Sequence, residues 1–193
     1  MDSTAEAKRR LFVAVPLPDR LFGFVSHAQG LLPRLPGLRL MRPDQLHLTL
    51  AFIGAVGERK AAAARAVVES VPTGMGGEGT IERFLLLPAP KRARVVALDV
   101  RDADGAFTAL FERVMSGLEG QRVMEREKRP FHPHLTIARL RNPGPVQPRS
   151  ESGEAPFAIE SVCLYESELK REGAVYTVLA RTIMEPGEAQ ETA

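Results

Sequence analysis

The sequence predicts an α+β fold with a mostly antiparallel sheet, and three observations carry it. Apolar runs of strand length outnumber helical ones. They follow the order β α β α β β α β β β, not the strict βαβα alternation of a parallel doubly wound sheet. The phrase His-Leu-Thr-apolar-Ala is also written twice, at 47–51 and 134–138. If that phrase marks an internal duplication, the architecture is two similar α+β lobes facing each other. At 193 residues the chain suffices for one core or for two small lobes sharing an interface. Residues 1–184 are therefore expected to form a single bilobal domain, and 185–193, "EPGEAQETA", a disordered tail.

"LFVAVPL" (11–17) is apolar and β-branched enough for a buried strand. After Pro18-Asp19, "RLFGFVSHAQGLL" has helical spacing at Leu21, Phe24, Val25 and Leu31-Leu32, with His27 as an ordinary helical histidine. Pro33 to Asp44 reads as a connection and "QLHLTLAFIG" as the next strand. "ERKAAAARAVVESV" is a helix with an Ala-rich body. "TIERFLLL" and "RVVALDV" flank the turn "PAPKRA", and "DGAFTALFERVMSGLEG" is an amphipathic helix closed by Gly120. "HPHLTIARL" is a strand, and "RNPGPVQPRSESGEAP" a surface loop by its Pro, Gly and Ser content. "FAIESVCLYES" and "AVYTVLARTIM" complete the set as a hairpin through "ELKREG".

Hydrophobic content of 44% and charged content of 26% are those of an ordinary globular chain, and Trp is absent. The net charge is only +2, yet Arg clusters at Lys91-Arg92-Ala93-Arg94, Arg126–Arg129 and Arg139 with Arg141. Such clusters are either solvated faces or the lining of a phosphate or nucleic-acid site, which the guanidinium fork suits. A single Cys163 excludes an internal disulfide and any Cys-pair metal motif, and its apolar setting reads as a small buried hydrophobe. The apolar run near the start is too short for a secretory signal, and no run approaches a membrane span. A cytoplasmic monomer is expected.

"GMGGEG" (74–79) matches the dinucleotide pattern by letter, but a helix precedes it and a strand follows, the reverse of what pyrophosphate binding needs. It reads as a turn. "HPH" (132–134) lacks companion ligands, so no metal is expected, and His132 reads as a cleft-edge or structural residue. No nucleophile elbow, Walker loop or zinc-protease motif occurs.

The paired phrase remains. In a strand, residues i and i+2 share a face. His47 therefore points with Thr49, and His134 with Thr136, while Leu46, Leu48, Leu50, Leu135 and Ile137 back them. Two imidazoles can serve as base and acid across one reacting centre near neutral pH. Two hydroxyls can donate to the oxygens of an anionic group. In-line displacement at phosphorus fits this set, with no cofactor.

Paired H-x-T-x phrases in this setting resemble the 2H phosphoesterase superfamily, and within it the RNA 2′,3′-cyclic phosphodiesterases, also called 2′-5′ RNA ligases. The resemblance runs through "RLFVAVPLPDRL", "RPDQLHLTLAFIG", "RVVALDV", "FHPHLTIARL" and "LYESELKREGAVYTVL". The Trp often found before the first motif is missing from "LRLMRPDQ". The resemblance implies a bilobal fold with helices outside and the cleft between pseudo-symmetric lobes. It also implies metal-free opening of RNA 2′,3′-cyclic phosphate ends to 2′-phosphates. His47 and His134 carry over by position, with Thr49 and Thr136; His47 is assigned as proton donor and His134 as acceptor, and the near-equivalent motifs leave the reverse assignment open. Phe52 and Arg139, five residues after each His, are implied substrate contacts for a base and a phosphate. Strict alternation puts both on the wrong face, so a bulge or strand end is required. Alternatives are 2′-5′ ligation, another cyclic phosphodiester substrate, or a non-catalytic RNA- or nucleotide-binding module.

Overall fold

The computed structural model describes residues 8–126, 129–170 and 173–185. Among these residues nine strands and three α-helices follow one another as β1 (Arg9–Pro16), α1 (Phe22–Gly30), β2 (Leu38–Leu40), β3 (His47–Val56), α2 (Glu58–Glu69), β4 (Glu78–Leu87), β5 (Ala93–Arg101), α3 (Ala106–Gly120), β6 (His134–Gly144), β7 (Ala155–Ala158), β8 (Ser161–Lys170) and β9 (Gly173–Ile183). The strands form one sheet in the order β7-β4-β5-β6-β3-β1-β8-β9, with β2 added on β6. Every pairing is antiparallel. The order is a palindrome of roles. The motif strands β3 and β6 meet at the centre through Leu48 and Leu135. Outward from them lie β1, β8 and β9 on one side, and β5, β4 and β7 on the other.

The expected α+β architecture with two similar halves is therefore present, and hydrophobic patterning explains it. Leu48, Leu135, Ile137, Leu98, Val13 and Val15 are all fully buried, each worth roughly 1.5–3 kcal/mol of transfer free energy. Helix α3 buries Phe107, Leu110, Val114 and Leu118, the stripe that its 3.6-residue period dictates. It approaches α2 closely at Gly117, where a Cβ would lie 2.7 Å from Val67 Cγ1. Helix α1 is tied to the sheet by Gln29, whose Nε2 donates to Met41 O (2.8 Å) and Ile137 O (2.9 Å).

From Leu11 onward strand β1 is apolar because both of its faces are covered. Leu11, Val13 and Val15 enter the main core. Phe12 and Ala14 join Cys163 and Tyr165 in a second small cluster, against which Tyr176 packs.

Three sequence expectations need correction. The connection from Pro33 to Asp44 contains β2, a strand too short to show a period and held by its pairing to β6. The loop expected at 141–156 is shorter, since β6 runs to Gly144 and β7 begins at Ala155. Within that loop Val146 and Ser152 are buried, and Ser152 Oγ donates to Glu82 O. "FAIESVCLYES" is two strands, because β7 pairs with β4 and β8 with β1, on opposite halves of the sheet. The disorder expected for the tail concerns residues that, from 186 onward, lie outside the described ones. Glu185 itself donates its N–H to Thr73 O (2.9 Å). Among the described residues no helix is long and apolar enough to cross a membrane.

Candidate active site

The two motif strands carry the same irregularity at the same letter. Along β1, Ala14 pairs with Thr49 and Val13 with Ala51, so Leu50 is an extra residue on β3. Along β5, Ala97 pairs with Thr136 and Val96 with Ala138, so Ile137 is the extra residue on β6. A bulge of this kind reverses the alternation of faces beyond it. Both strands accordingly bury Leu50-Ala51 and Ile137-Ala138 as consecutive pairs, then expose the next side chain. Phe52, 60% exposed, and Arg139 thereby return to the side of the histidines. The bulge that strict alternation demanded is present twice.

The antiparallel register through Leu48 and Leu135, continued one step each way, sets His47 across from Thr136 and Thr49 across from His134. The two histidines are then diagonal neighbours on one face, a relation that sets residue positions about 7–8 Å apart along the backbone. All six expected residues, His47, Thr49, Phe52, His134, Thr136 and Arg139, line one cleft of about 750 Å³.

Each ring is held through the backbone two residues before it. His134 Nδ1 lies 2.8 Å from His132 O, which leaves Nε2 for the cleft. The His47 ring has a matching hydrogen bond with the backbone of Gln45. Beyond this the two surroundings diverge. The His47 ring lies 4.8 Å from the Phe12 ring and 5.4 Å, edge-on, from that of Tyr176. Tyr165 stacks on Phe12 from behind at 5.0 Å. Protein surrounds the imidazole on most sides, and this burial pushes its pKa down from 6.5 to about 4. Arg139 and His134 add to the fall, and the Gln45 hydrogen bond opposes it.

His134 instead stands beside a polar brace. Asp99, a buried carboxylate facing His134 across the β5–β6 pairing, lies 2.8 Å from His132 Nε2. Its other oxygen accepts an ion-pair contact from Arg83 at 2.7 Å. His132 is thus a bracing residue that lines the cavity beside the cleft, and in "HPH" one ring turns to Asp99 and the other to a backbone carbonyl. Among the described residues no group of three or more His, Cys, Asp or Glu side chains is arranged to hold a metal ion.

Several cleft residues escaped the sequence reading. Phe12 and Tyr176, with Tyr165 packed behind Phe12, come from strands remote in sequence, and only the aromatic at Phe12 inside an aliphatic run hinted at a role. Arg39, on β2 opposite Arg139, reaches across the cleft to the β8–β9 end. Its guanidinium lies on Gly173, whose φ of +123 is a conformation that L side chains rarely adopt, so that position favours glycine.

Comparison with known proteins matches this arrangement. The model of the 2′-5′ RNA ligase superfamily matches residues 17–171. The RNA 2′,3′-cyclic phosphodiesterase of Thermus thermophilus is 32% identical over 190 residues, covering 89% of this chain and 88% of the relative. The crystal structure of TT0787 of Thermus thermophilus superposes with a TM-score of 0.79 at 29% identity, covering 93% of this chain and all of that one. Escherichia coli LigT in complex with ATP superposes with a TM-score of 0.71 at 25% identity, covering 93% and 99%. With its duplicated bulge and facing histidines, the chain belongs to the 2′-5′ RNA ligase superfamily.

Proposed function

We propose that this chain hydrolyses RNA 2′,3′-cyclic phosphate ends to 2′-phosphomonoesters by paired histidine acid–base catalysis. The observation that carries the reading is the diagonal pair His47 and His134 on antiparallel neighbours, each with a Thr opposite, in one cleft. In this reading His134 Nε2 takes a proton from water, which attacks phosphorus in line. His47 gives a proton to the departing 3′ oxygen, and the 2′ ester stays. Thr49, Thr136 and Arg139 hold the phosphate oxygens, and Phe52 meets the base.

The unequal surroundings support this division of roles. Burial that lowers the pKa of His47 makes its imidazolium a stronger acid, and the substrate anion supplies the charge that favours its protonation. His134 borders both the cleft and a neighbouring cavity, so water has a route to it. The relatives' activity as RNA 2′,3′-cyclic phosphodiesterases supports the substrate class. The proposal extends to a cytoplasmic monomer acting on RNA or nucleotide ends. One chain supplies both motifs, and its cysteine is buried and free.

Incubation with a nucleoside 2′,3′-cyclic phosphate in EDTA, followed by product separation, tests the reading. It predicts the 2′-monophosphate as product. The 3′-monophosphate as main product contradicts it, and binding without turnover would make the protein a sensor.

A further inference from the structure

A second cavity of about 430 Å³ adjoins the catalytic cleft, sharing Thr49, Phe52 and His134 with it. Its remaining wall is mostly carbon: Leu85 and Leu87 of β4, Phe111 and Met115 of α3, and Phe131 just before the second motif. Phe111 and Phe131 stack in parallel, with centroids 4.3 Å apart and planes at 5°. Acid–base chemistry at phosphorus uses none of these five side chains, yet they line a hollow that opens beside its base. Phe52 is shared by the two cavities and is 60% exposed, a large apolar ring open to a planar partner. At the rim stands Arg129, exposed and without an ion-pair partner among the described residues.

We propose that this cavity is a second nucleobase site. It takes the base of the nucleotide preceding the cyclic phosphate end, while Arg129 meets the phosphate that links the two nucleotides. The inference rests on the hydrolysis reading above and deepens it, since it makes an oligonucleotide end the preferred substrate. The occupant follows from the site's chemistry. The cavity is continuous with a cleft assigned to a terminal nucleotide, its walls are apolar and aromatic, and a cation sits where a phosphodiester would pass. Aromatic stacking of a base is sequence-tolerant, so the site favours chain length over base identity.

The test compares kcat/KM for a mononucleoside 2′,3′-cyclic phosphate with that for a dinucleotide ending in the same group. A third substrate is the same dinucleotide with its first residue abasic. The expected result is a preference of about 10-fold or more for the intact dinucleotide, as stacking of one base provides. That preference falls to near unity with the abasic substrate. Leu85→Trp, which fills the cavity from a half-buried position, likewise removes it and leaves the mononucleotide rate unchanged. Equal rates on mono- and dinucleotide, or a preference that survives removal of the base, overturn the inference while leaving the hydrolytic reading intact. Hydrolysis of neither substrate overturns both. Should Leu85→Trp fail to fold, the abasic substrate on the unaltered chain decides alone.

Discussion

The β3 half and the β6 half of the site run nearly the same phrase, HLTLAF and HLTIAR, through the same bulge, yet they end in different environments. His47 sits among Phe12, Tyr165 and Tyr176, with its pKa pushed down to about 4. His134 hangs from the His132 carbonyl, in front of the Asp99–Arg83 ion pair and beside an open cavity. The strand geometry thus supplies two equivalent hands, and the packing behind each makes them unequal. In-line chemistry needs that inequality, because one group must accept a proton while the other gives one.

The largest way to break the symmetry is to remove one hand. His47→Ala or His134→Ala is expected to lower kcat/KM on a 2′,3′-cyclic nucleotide by at least about 10²-fold, in the range general acid–base groups supply. Circular dichroism should show the fold retained. Full activity in either variant removes it from the mechanism.

Next in size are the anion contacts. Thr49→Val and Thr136→Val each delete a hydroxyl donor and should cost about 10- to 100-fold in kcat/KM, the worth of a hydrogen bond to a charged group. Comparable losses in the two variants, measured under the same conditions, mark the symmetric part of the site. A loss confined to one of them would mean that the phosphate leans on one lobe.

The apolar side is sharpened by pH. A folded-state pKa below the unfolded value means that the unfolded chain binds the proton better. His47 therefore adds no penalty above about pH 6.5, and it destabilises the fold progressively as pH falls towards 4. Over that window wild type should lose roughly 3 kcal/mol more than His47→Gln in urea unfolding. Parallel stability curves for the two proteins would show that the aromatic surroundings do not disfavour the imidazolium.

The smallest expected effect lies behind His134. Asp99→Asn keeps the shape but removes the charge facing His132 and Arg83. A loss in kcat of about 10-fold or less, with KM little changed, fits a bracing role for this residue. An effect as large as that of His134→Ala would place Asp99 in the proton path itself.

Much of this was legible in the chain. Long apolar runs marked β1, β5 and β6, the Ala-rich and amphipathic stretches marked α2 and α3, and the repeated phrase marked the cleft. Strict alternation put Phe52 and Arg139 on the wrong face, which is how they came to need a bulge or strand end. What was not legible depends on pairing between distant segments. Strands β2 and β7 are three and four residues long and exist through their partners. The split between β7 and β8 at Ile159-Glu160 follows from their assignment to opposite halves. The aromatic surroundings of His47 draw on residues 12, 165 and 176, which no local pattern connects. Arg39 lay hidden in a connection rich in Pro, Gly and Arg.

Unequal roles for the two histidines are the central claim, and the leaving group tests them most directly. A nucleoside 2′,3′-cyclic phosphate with sulfur in place of the bridging 3′ oxygen departs without needing a proton. On this substrate His47→Ala should recover to near the wild-type rate, while His134→Ala stays slow because its water still lacks a base. Recovery by His134→Ala instead, with His47→Ala remaining slow, would contradict the assignment and reverse the two roles.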